Sequence, residues 1–384
     1  MSFQLCLNEF PETLQLALKP QARKIIEDIK NGYTGIHPDL FNAYYNNLRK
    51  APERVLQSPN YGDKYFDMQA QFEANIARFA AYKAYHTTRQ IDAKRADKKG
   101  VVQPFEVYQK EAQRVLNAFN RYQVTEYNTA VARARTAKQW TEFTQDEYAN
   151  ELFPYIMWLP SRSVTKREEH IVFYNKYWAK DSDFWTHNQP GNLWNCKCDW
   201  QETDGNTGTP GADTYRRVGH KGLDGNPAIT GEIFSESATY FQSQDKQVKA
   251  SISELQRRLA KEKLEILRCT SVSVDIMNKK QDIIFDGITK SHISNDIRGS
   301  KNWLFTETIT KYPDLIKNSK LVASEDNTKL DKKPWALKYY YFECKIGKKT
   351  FYFNIEENNN LIEHKHFFRL YSITSNLRES AIRI

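Results

Sequence analysis

Apolar side chains recur at helical spacing through most of the first 150 residues of the chain. After Pro20 they recur at Ile25, Ile26 and Ile29, until Gly32 ends the pattern. Two longer stretches each carry an apolar stripe with charged residues on the other side. One stripe contains Phe66, Ala70, Phe72, Ile76, Phe79 and Tyr82, and the other contains Val107, Ala112, Val115, Leu116, Phe119 and Tyr122. These patterns predict a bundle of helices whose apolar stripes form the core.

The pattern changes after residue 150. A short apolar run, Phe153 to Trp158, has strand character and ends before Pro160. Four tryptophans follow within a short stretch, at Trp178, Trp185, Trp194 and Trp200. Residues 202–227 are then dominated by Gly, Asp, Asn, Thr and Pro, which is typical of loops. We therefore predict a helical domain over residues 1–200 with a Trp- and Cys-rich end, and a Gly-, Asp- and Pro-rich linker and tail over residues 201–250.

The last third of the chain begins with a helical pattern and continues with strand patterns. Residues 251–267 place leucines at helical spacing among Glu, Lys and Arg, and Val272, Val274 and Ile276 then alternate with polar residues. Residues 335–346 and 349–355 flank Gly347-Lys348, a plausible hairpin turn, and residues 367–374 alternate again. The prediction is an α+β domain over residues 251–384 with a small antiparallel sheet. The predicted fold is thus mainly α at the N-terminus and α+β at the C-terminus.

The basic charge of the protein is concentrated in this last third. The whole chain has 56 Lys and Arg against 47 Asp and Glu, a net charge of +9. From Ser251 onward there are 24 basic against 17 acidic residues, which leaves a net charge of only +2 for the first 250. The C-terminal domain is therefore expected either to meet a polyanion or to carry a solvated basic surface without a ligand.

The composition also limits the cellular setting. No stretch approaches the roughly 18 uncharged apolar residues that a membrane span needs, so we expect no membrane segment. The first residues have neither a basic start nor an apolar core, so no signal peptide is expected. Five cysteines do not make a disulfide framework, and a reducing cytoplasm is the simplest setting for them.

One cluster has the chemistry of a metal site. Cys196 and Cys198 are separated by a single residue, and His170 lies upstream. Zinc favours soft ligands in a tetrahedral arrangement, usually with two to four residues between paired cysteines, so this spacing is unusual. Two interpretations remain open: a structural zinc held by these three residues and a fourth group, or a turn with two small thiols packed among tryptophans.

The C-terminal domain contains residues suited to metal-independent cleavage of RNA, for which no cofactor is expected. That reaction needs a base, an acid and cations that face the phosphorane. The candidates for catalysis are His292, Lys338, Arg369, Tyr371 and Thr374, and the candidates for binding nucleic acid are Tyr339, Tyr340 and Ser372. Each has a simpler interpretation: an exposed strand lysine, a cross-strand ion pair for Arg369, or core aromatic residues. The chain has no P-loop, GxGxxG, GxSxG or HExxH motif.

An ordered set of motifs resembles the phage Mu F-like head-morphogenesis (minor capsid protein) family over about residues 60–241. The motifs are Thr125-Glu126-Tyr127-Asn128, Arg167-Glu168-Glu169-His170, Asp183-Phe184-Trp185 and Pro190-Gly191-Asn192-Leu193-Trp194-Asn195-Cys196-Lys197-Cys198. The departures are Lys197 in place of the usual Arg and a single Pro where two are common. The resemblance implies an oligomeric virion component with portal and capsid proteins as partners. It also implies location in the virion, and in the host cytoplasm during assembly and after ejection.

The C-terminal domain resembles, less specifically, the phage-type barnase–EndoU–colicin–RelE-like nucleases. The similarity lies in a helix before a sheet, an exposed His292 and the final string Arg369-Leu370-Tyr371-Ser372-Ile373-Thr374. It implies roles in RNA cleavage for His292, Arg369, Tyr371 and Thr374, to which the residue chemistry adds Lys338. The alternatives are a purely structural head protein with an inactive nucleic-acid- or capsid-binding C-terminal domain, or an ADP-ribosyltransferase effector, for which Glu356-Glu357 fits poorly.

Overall fold

The computed structural model describes residues 21–243, 245–297, 299, 302–360 and 365–384. The chain forms two compact units. The first contains the residues up to Gln57 together with Asn75–Val248, and the second contains Ser58–Ala74 together with Lys249–Ile384. No helix among the described residues combines the length and apolar character needed to cross a bilayer. The predicted division into an N-terminal helical region and a C-terminal region that contains a sheet is confirmed.

Helices dominate the first unit. They are α1 (Ala22–Lys30), α2 (Pro38–Leu48), α3 (Lys50–Leu56), α4 (Phe66–Asp92), α5 (Phe105–Gln145) and α6 (Glu147–Leu152), of which α4 begins in the second unit and enters the first at Asn75. α1, α2 and α3 all pack against α5. The predicted stripe of α4 is buried, and so are Ala112, Val115, Leu116 and Phe119 on α5. Val107 and Tyr122 of the same predicted stripe are exposed, since other elements cover only part of that face of α5.

A small sheet and a tryptophan-rich core complete the first unit. Its strands are β1 (Tyr155–Leu159), β2 (Lys176–Ala179), β3 (Asp199–Thr203) and β4 (Thr209–Pro210), in the order β3-β1-β2-β4. Short helices lie between or after them: α7 (Glu168–Ile171), α8 (Phe184–His187) and α9 (Pro227–Thr230), followed by a 3-10 turn at Thr239–Gln242. Trp158, Trp178, Trp185 and Trp200 are buried together in the core of this region. The strand predicted before Pro160 is confirmed as β1.

The second unit is built on a seven-stranded sheet in the order β11-β7-β8-β9-β10-β6-β5. The elements are α10 (Gln247–Leu267), β5 (Ser271–Ile276), β6 (Lys279–Ile284), α11 (Gly287–Asp296), α12 (Trp303–Thr308), a 3-10 turn (Ile309–Lys311), α13 (Tyr312–Lys317), β7 (Lys320–Asp326), β8 (Ala336–Ile346), β9 (Lys349–Asn360), β10 (Lys365–Thr374) and β11 (Ile382–Arg383). The predicted hairpin at Gly347 is confirmed by the pairing of β8 with β9.

The prediction of a small antiparallel sheet was wrong in size and in strand direction. β10 pairs with β6 in parallel, while every other pairing in this sheet is antiparallel. Parallel neighbours cannot be joined by a hairpin, and here 80 residues separate the two strands in the sequence. Alternation along one strand reveals nothing about such a distant partner, so the mixed sheet was not visible from the sequence.

The two faces of this sheet differ in chemistry. On one face, buried apolar residues of β8, β9 and β10, including Phe342, Phe353 and Leu370, form the core, and Tyr312 of α13 packs against Phe353 with ring centroids 5.1 Å apart. Residues one position away in each strand point to the opposite face. That face carries charged and aromatic side chains, and it contains the candidate site of the second unit.

Candidate functional site

A row of polar side chains crosses four neighbouring strands of the seven-stranded sheet. Strand register places Glu325, Tyr339, Glu356 and Arg369 opposite one another on β7, β8, β9 and β10. Side chains at paired positions share one face of a sheet. The Tyr339 hydroxyl donates to Glu356 Oε2 at 3.2 Å, and Arg369 Nε lies 3.3 Å from Glu356 Oε1. Tyr339, Glu356 and Arg369 are therefore connected, and all four side chains of the row are buried.

Arg369 links this row to helix α11. Its Nη1 donates to Asp286 Oδ2 at 2.9 Å. Asp286 is the N-cap of α11, and its other oxygen accepts the Thr289 backbone N–H at 2.8 Å. The Thr289 hydroxyl donates to the Leu370 carbonyl of β10 at 2.6 Å. Because Arg369 is only 4% exposed and contacts two carboxylates, it fixes the start of α11 against β10.

Two side chains from other segments contact Tyr371, which lies on β10 two residues after Arg369. His292 lies three residues after Thr289 on α11, and its ring centroid lies 4.3 Å from that of Tyr371. The Lys333 ammonium donates to the Tyr371 hydroxyl and lies 4.5 Å from the centre of its ring. All three side chains are partly exposed. We call His292, Lys333 and Tyr371 the tyrosine cluster; in it an imidazole and an ammonium both contact one partly exposed tyrosine.

The other predicted residues of this domain lie elsewhere. Lys338 and Tyr340 flank Tyr339 in β8, so they point to the opposite face; Lys338 pairs with Asp326 at 3.2 Å, and the Tyr340 hydroxyl donates to Glu357 at 2.8 Å. Ser372 follows a β-bulge, and the Thr374 hydroxyl donates to the carbonyl of residue 376 at 2.8 Å. The structure thus brings His292 to Tyr371, places Tyr339 and Arg369 in the adjoining row, and separates Lys338 and Tyr340 from both.

Burial keeps the phenol of Tyr339 in the row, and that of Tyr341 beside it, protonated. Burial, reinforced by the neighbouring Glu356 carboxylate, raises the pKa of Tyr339 well above its ordinary value. Burial and the hydrogen bond to Glu325 raise the pKa of Tyr341 in the same direction. The Tyr341 hydroxyl donates to Glu325 Oε2 at 2.7 Å. Both tyrosines therefore act as hydrogen-bond donors that stabilise buried carboxylates.

Sequence reasoning missed several members of this site. Asp286 had a usable signal, because an Asp three residues before Thr289 fits a helix cap. Glu325 and Glu356 lie in strands whose polar and apolar residues alternate. The residues that they contact belong to other strands, so the sequence gives no local sign of these contacts. Lys333 lies in a polar connection between β7 and β8 with no local pattern to single it out. Only tertiary packing brings Lys333 to Tyr371.

The predicted metal ligands of the first unit do come together. His170 Nδ1 lies 3.3 Å from Cys198 Sγ and 3.5 Å from Cys196 Sγ, and the three donor atoms lie within 4.8 Å of one another. Zinc bonds of about 2.0 Å to nitrogen and 2.3 Å to sulfur in a tetrahedron place such donors about 3.5 Å apart. All three side chains are buried. This group can bind a metal ion.

A further hydrogen bond orients His170 for this role. Its Nε2 lies 2.8 Å from the Asn192 amide oxygen, which only accepts, so a neutral ring has its proton on Nε2 and its lone pair on Nδ1. Metal-bound histidines are oriented in this way by partners outside the coordination sphere. A hydrogen bond from Cys198 lowers the pKa of the Cys196 thiol, and the same bond raises that of Cys198. The orientation of His170 and the lowered pKa of Cys196 therefore fit a metal ligand group, since cysteine binds metals as the thiolate.

The loop that carries the cysteines is held against helix α5. The Thr136 hydroxyl donates to the Pro190 carbonyl at 2.9 Å, and the Asn195 backbone N–H donates to the Thr129 hydroxyl at 2.9 Å. Gly191 has φ +97° and lies so close to Arg133 that a Cβ would be 3.2 Å from its Cγ. A side chain at Gly191 would thus be strained and crowded.

Comparison with protein-family models, with curated proteins and with solved structures found no match for this chain.

The two side-chain groups differ in chemistry. The His170, Cys196 and Cys198 group is buried and offers soft donors, which suits a structural ion. The tyrosine cluster is partly exposed and offers groups that transfer protons and attract anions.

Proposed function

We propose that the chain is a minor head protein of a tailed phage, active at the portal and capsid, whose second unit cleaves RNA without a metal ion. The observation that carries the catalytic part is the tyrosine cluster, in which residues far apart in the sequence contact one partly exposed tyrosine. The head-protein part is supported by the ordered motifs and by the meeting of two of them, His170 and the Cys196–Cys198 segment, in one buried group.

In the proposed reaction, the ribose 2′-oxygen attacks the adjacent phosphorus and the bond from phosphorus to the next 5′-oxygen breaks. An imidazole nitrogen of His292 accepts the 2′-hydroxyl proton, and the Tyr371 hydroxyl donates a proton to the departing 5′-oxygen. The Lys333 ammonium faces the negative charge of the phosphorane and, through its hydrogen bond, returns a proton to Tyr371. The products are a 2′,3′-cyclic phosphate and a 5′-hydroxyl.

Arg369 acts in this proposal as a positioning residue. It pairs with Glu356 and with Asp286, the cap of the helix that carries His292. Loss of Arg369 would therefore displace the imidazole. Base stacking is assigned to Trp335, two residues after Lys333 and 43% exposed, because Tyr339 and Tyr340 are buried.

The decisive experiment measures cleavage of labelled RNA by the full chain in EDTA, with the products identified by mass spectrometry. His292→Gln and Lys333→Met are expected to lower the cleavage rate by about 100-fold or more, since a positioned acid or base contributes that much. His366→Gln, on the opposite face, and Lys317→Met, exposed on α13, are the matched controls and should cleave like the parent chain.

RNA that stays intact at every protein concentration would contradict the enzyme proposal. RNA that is bound but not cleaved would favour the second candidate, an inactive nucleic-acid-binding domain on a structural head protein. That candidate is supported by the net charge of +7 in the last third of the chain and by the pairing of Arg369 with carboxylates. An ADP-ribosyltransferase remains less well supported, because Glu356 is buried in its pair with Arg369.

We also propose that the ion held by His170, Cys196 and Cys198 is zinc in a structural role. The soft donor set and the burial of all three side chains support this choice.

A further inference from the structure

A small basic pocket lies on the outer side of the cysteine loop in the first unit. Its volume is about 150 Å³. The side chains that define this basic pocket are Asn128, Arg135, Arg162, Asn195, Lys197 and Asp199. It opens to solvent on the side of Asn195 and Arg162, both of which are exposed. These basic side chains belong neither to the group of His170, Cys196 and Cys198 nor to the proposed RNA-cleaving site.

The local structure explains why the cations converge. Asn128 and Arg135 are seven residues apart on α5, so they lie on the same side of the helix. In the cysteine loop, Cys196 and Cys198 are buried, whereas Lys197 between them is turned outward into the basic pocket. The Arg162 backbone N–H donates to the Lys197 carbonyl at 3.2 Å, which holds these two residues side by side.

The charges of the basic pocket are not balanced. Three cationic side chains face one carboxylate, Asp199, which lies 3.6 Å from both Arg135 Nη2 and Arg162 Nη2. Asp199 therefore holds the two guanidinium groups near each other but neutralises only one positive charge. The basic pocket therefore keeps a net positive charge, which an anionic ligand would balance.

We propose that the basic pocket binds a phosphate group through Arg135, Arg162 and Lys197. A planar guanidinium group can donate two hydrogen bonds to two oxygens of one phosphate. The Asn128 and Asn195 amides add neutral donors. The small volume suits an oxyanion rather than a whole nucleotide. The phosphate belongs either to a nucleic-acid backbone or to a free phosphate ion, and the two sources share this chemistry. The site is independent of the RNA-cleaving site, since it uses other residues in the other unit.

The test uses the full chain with two probes. Binding of a fluorescein-labelled 30-base-pair DNA duplex is measured by anisotropy at several salt concentrations, and the rise of Tm with inorganic phosphate is measured without DNA. The double variant Arg135→Gln/Arg162→Gln is compared with Arg54→Gln/Arg114→Gln, which removes the same charge from exposed positions of the first unit. The double variant also breaks the ion pairs with Asp199 and could misfold for that reason. Lys197→Gln leaves both pairs in place, so a loss of binding by this variant is not explained by their loss.

The expected result with duplex DNA is weaker binding by the double variant and by Lys197→Gln, with a salt slope smaller by about 1 for each lost phosphate contact. If duplex binding is unchanged but the stabilisation by inorganic phosphate is lost, the pocket serves free phosphate. Equal behaviour of the pocket variants and the Arg54/Arg114 control with both probes would overturn the proposal.

Discussion

At the scale of single residues, a buried ion pair explains part of the Thr125–Asn128 motif. Lys83 Nζ of α4 lies 2.5 Å from Glu126 Oε2 of α5, and these side chains are 0% and 5% exposed. The ammonium also lies 4.6 Å from the centre of the Tyr44 ring. Burial lowers the pKa of Lys83 and raises the pKa of Glu126, so each group depends on the other to stay charged. Glu126 thus has a structural partner within the helical core.

Removing one partner of this pair should destabilise the protein strongly. Lys83→Met is expected to lower the free energy of unfolding by about 3–5 kcal/mol, because Glu126 would be left buried without a counter-charge. The double change Lys83→Met/Glu126→Leu should recover most of that loss. Urea unfolding followed by circular dichroism measures both. Lys24→Met, which breaks an exposed pair with Asp28, is the control and should lower the free energy of unfolding far less than Lys83→Met. A double variant as unstable as Lys83→Met would contradict the explanation.

At the scale of elements, the cysteine loop between Pro190 and Cys198 joins two chemistries. Its inner side offers Cys196 and Cys198 to His170, and its outer side offers Lys197 to the basic pocket. Two hydroxyls of α5, from Thr129 and Thr136, fix the loop. A metal ion on the inner side would therefore also set the position of the outer lysine.

Metal binding by this loop gives the second stability prediction. The purified chain is expected to contain about one zinc per molecule by elemental analysis, and a strong chelator should lower Tm, because zinc bound only by the folded state stabilises it. His170→Ala and Cys198→Ser should both lose the metal. Cys269→Ser, at an exposed cysteine, should keep it. A metal-free chain with an unchanged Tm would leave the two thiols as packing residues.

At the scale of the whole molecule, the two units are not simple consecutive pieces of the chain. Residues 58–74, including the first two turns of α4, belong to the second unit. There the Asp67 carboxylate accepts the backbone N–H of Gly347 at 2.9 Å, at the turn between β8 and β9. The second unit therefore depends on a segment that precedes its main part by about 180 residues.

This arrangement predicts the behaviour of fragments. A polypeptide of residues 249–384 should have a lower Tm than the same polypeptide supplied with a peptide of residues 58–74, because the peptide binds the folded state. Each kcal/mol that peptide binding adds to the free energy of unfolding should raise Tm by about 3–5 °C for a domain of this size. The same peptide with Asp67→Asn should stabilise less, since its amide oxygen is a weaker acceptor for Gly347. Calorimetry tests this, and no effect of either peptide would contradict it.

Local spacing was sufficient for features that depend on neighbours a few residues away along the chain. Periodicity located the long helices of the first 150 residues, α10, the strand before Pro160 and the hairpin at Gly347, because side-chain direction repeats along each element. It did not reveal α11 or the short helices α7, α8 and α9. The spacing of Cys196 and Cys198, with His170, made a metal site one of two interpretations, and the structure brings the three donor atoms within 4.8 Å of one another.

Contacts between residues that are distant in the sequence could not be predicted from local spacing. The parallel pairing of β6 with β10, the row from Glu325 to Arg369 and the contact of Lys333 with Tyr371 all depend on how separate segments pack. Strand register fixes which strand positions lie opposite one another, and a shift of one residue would turn every side chain to the other face. Alternation could show that Lys338 and Tyr339 point in opposite directions, but the partners on each side come from strands and loops that no local pattern connects.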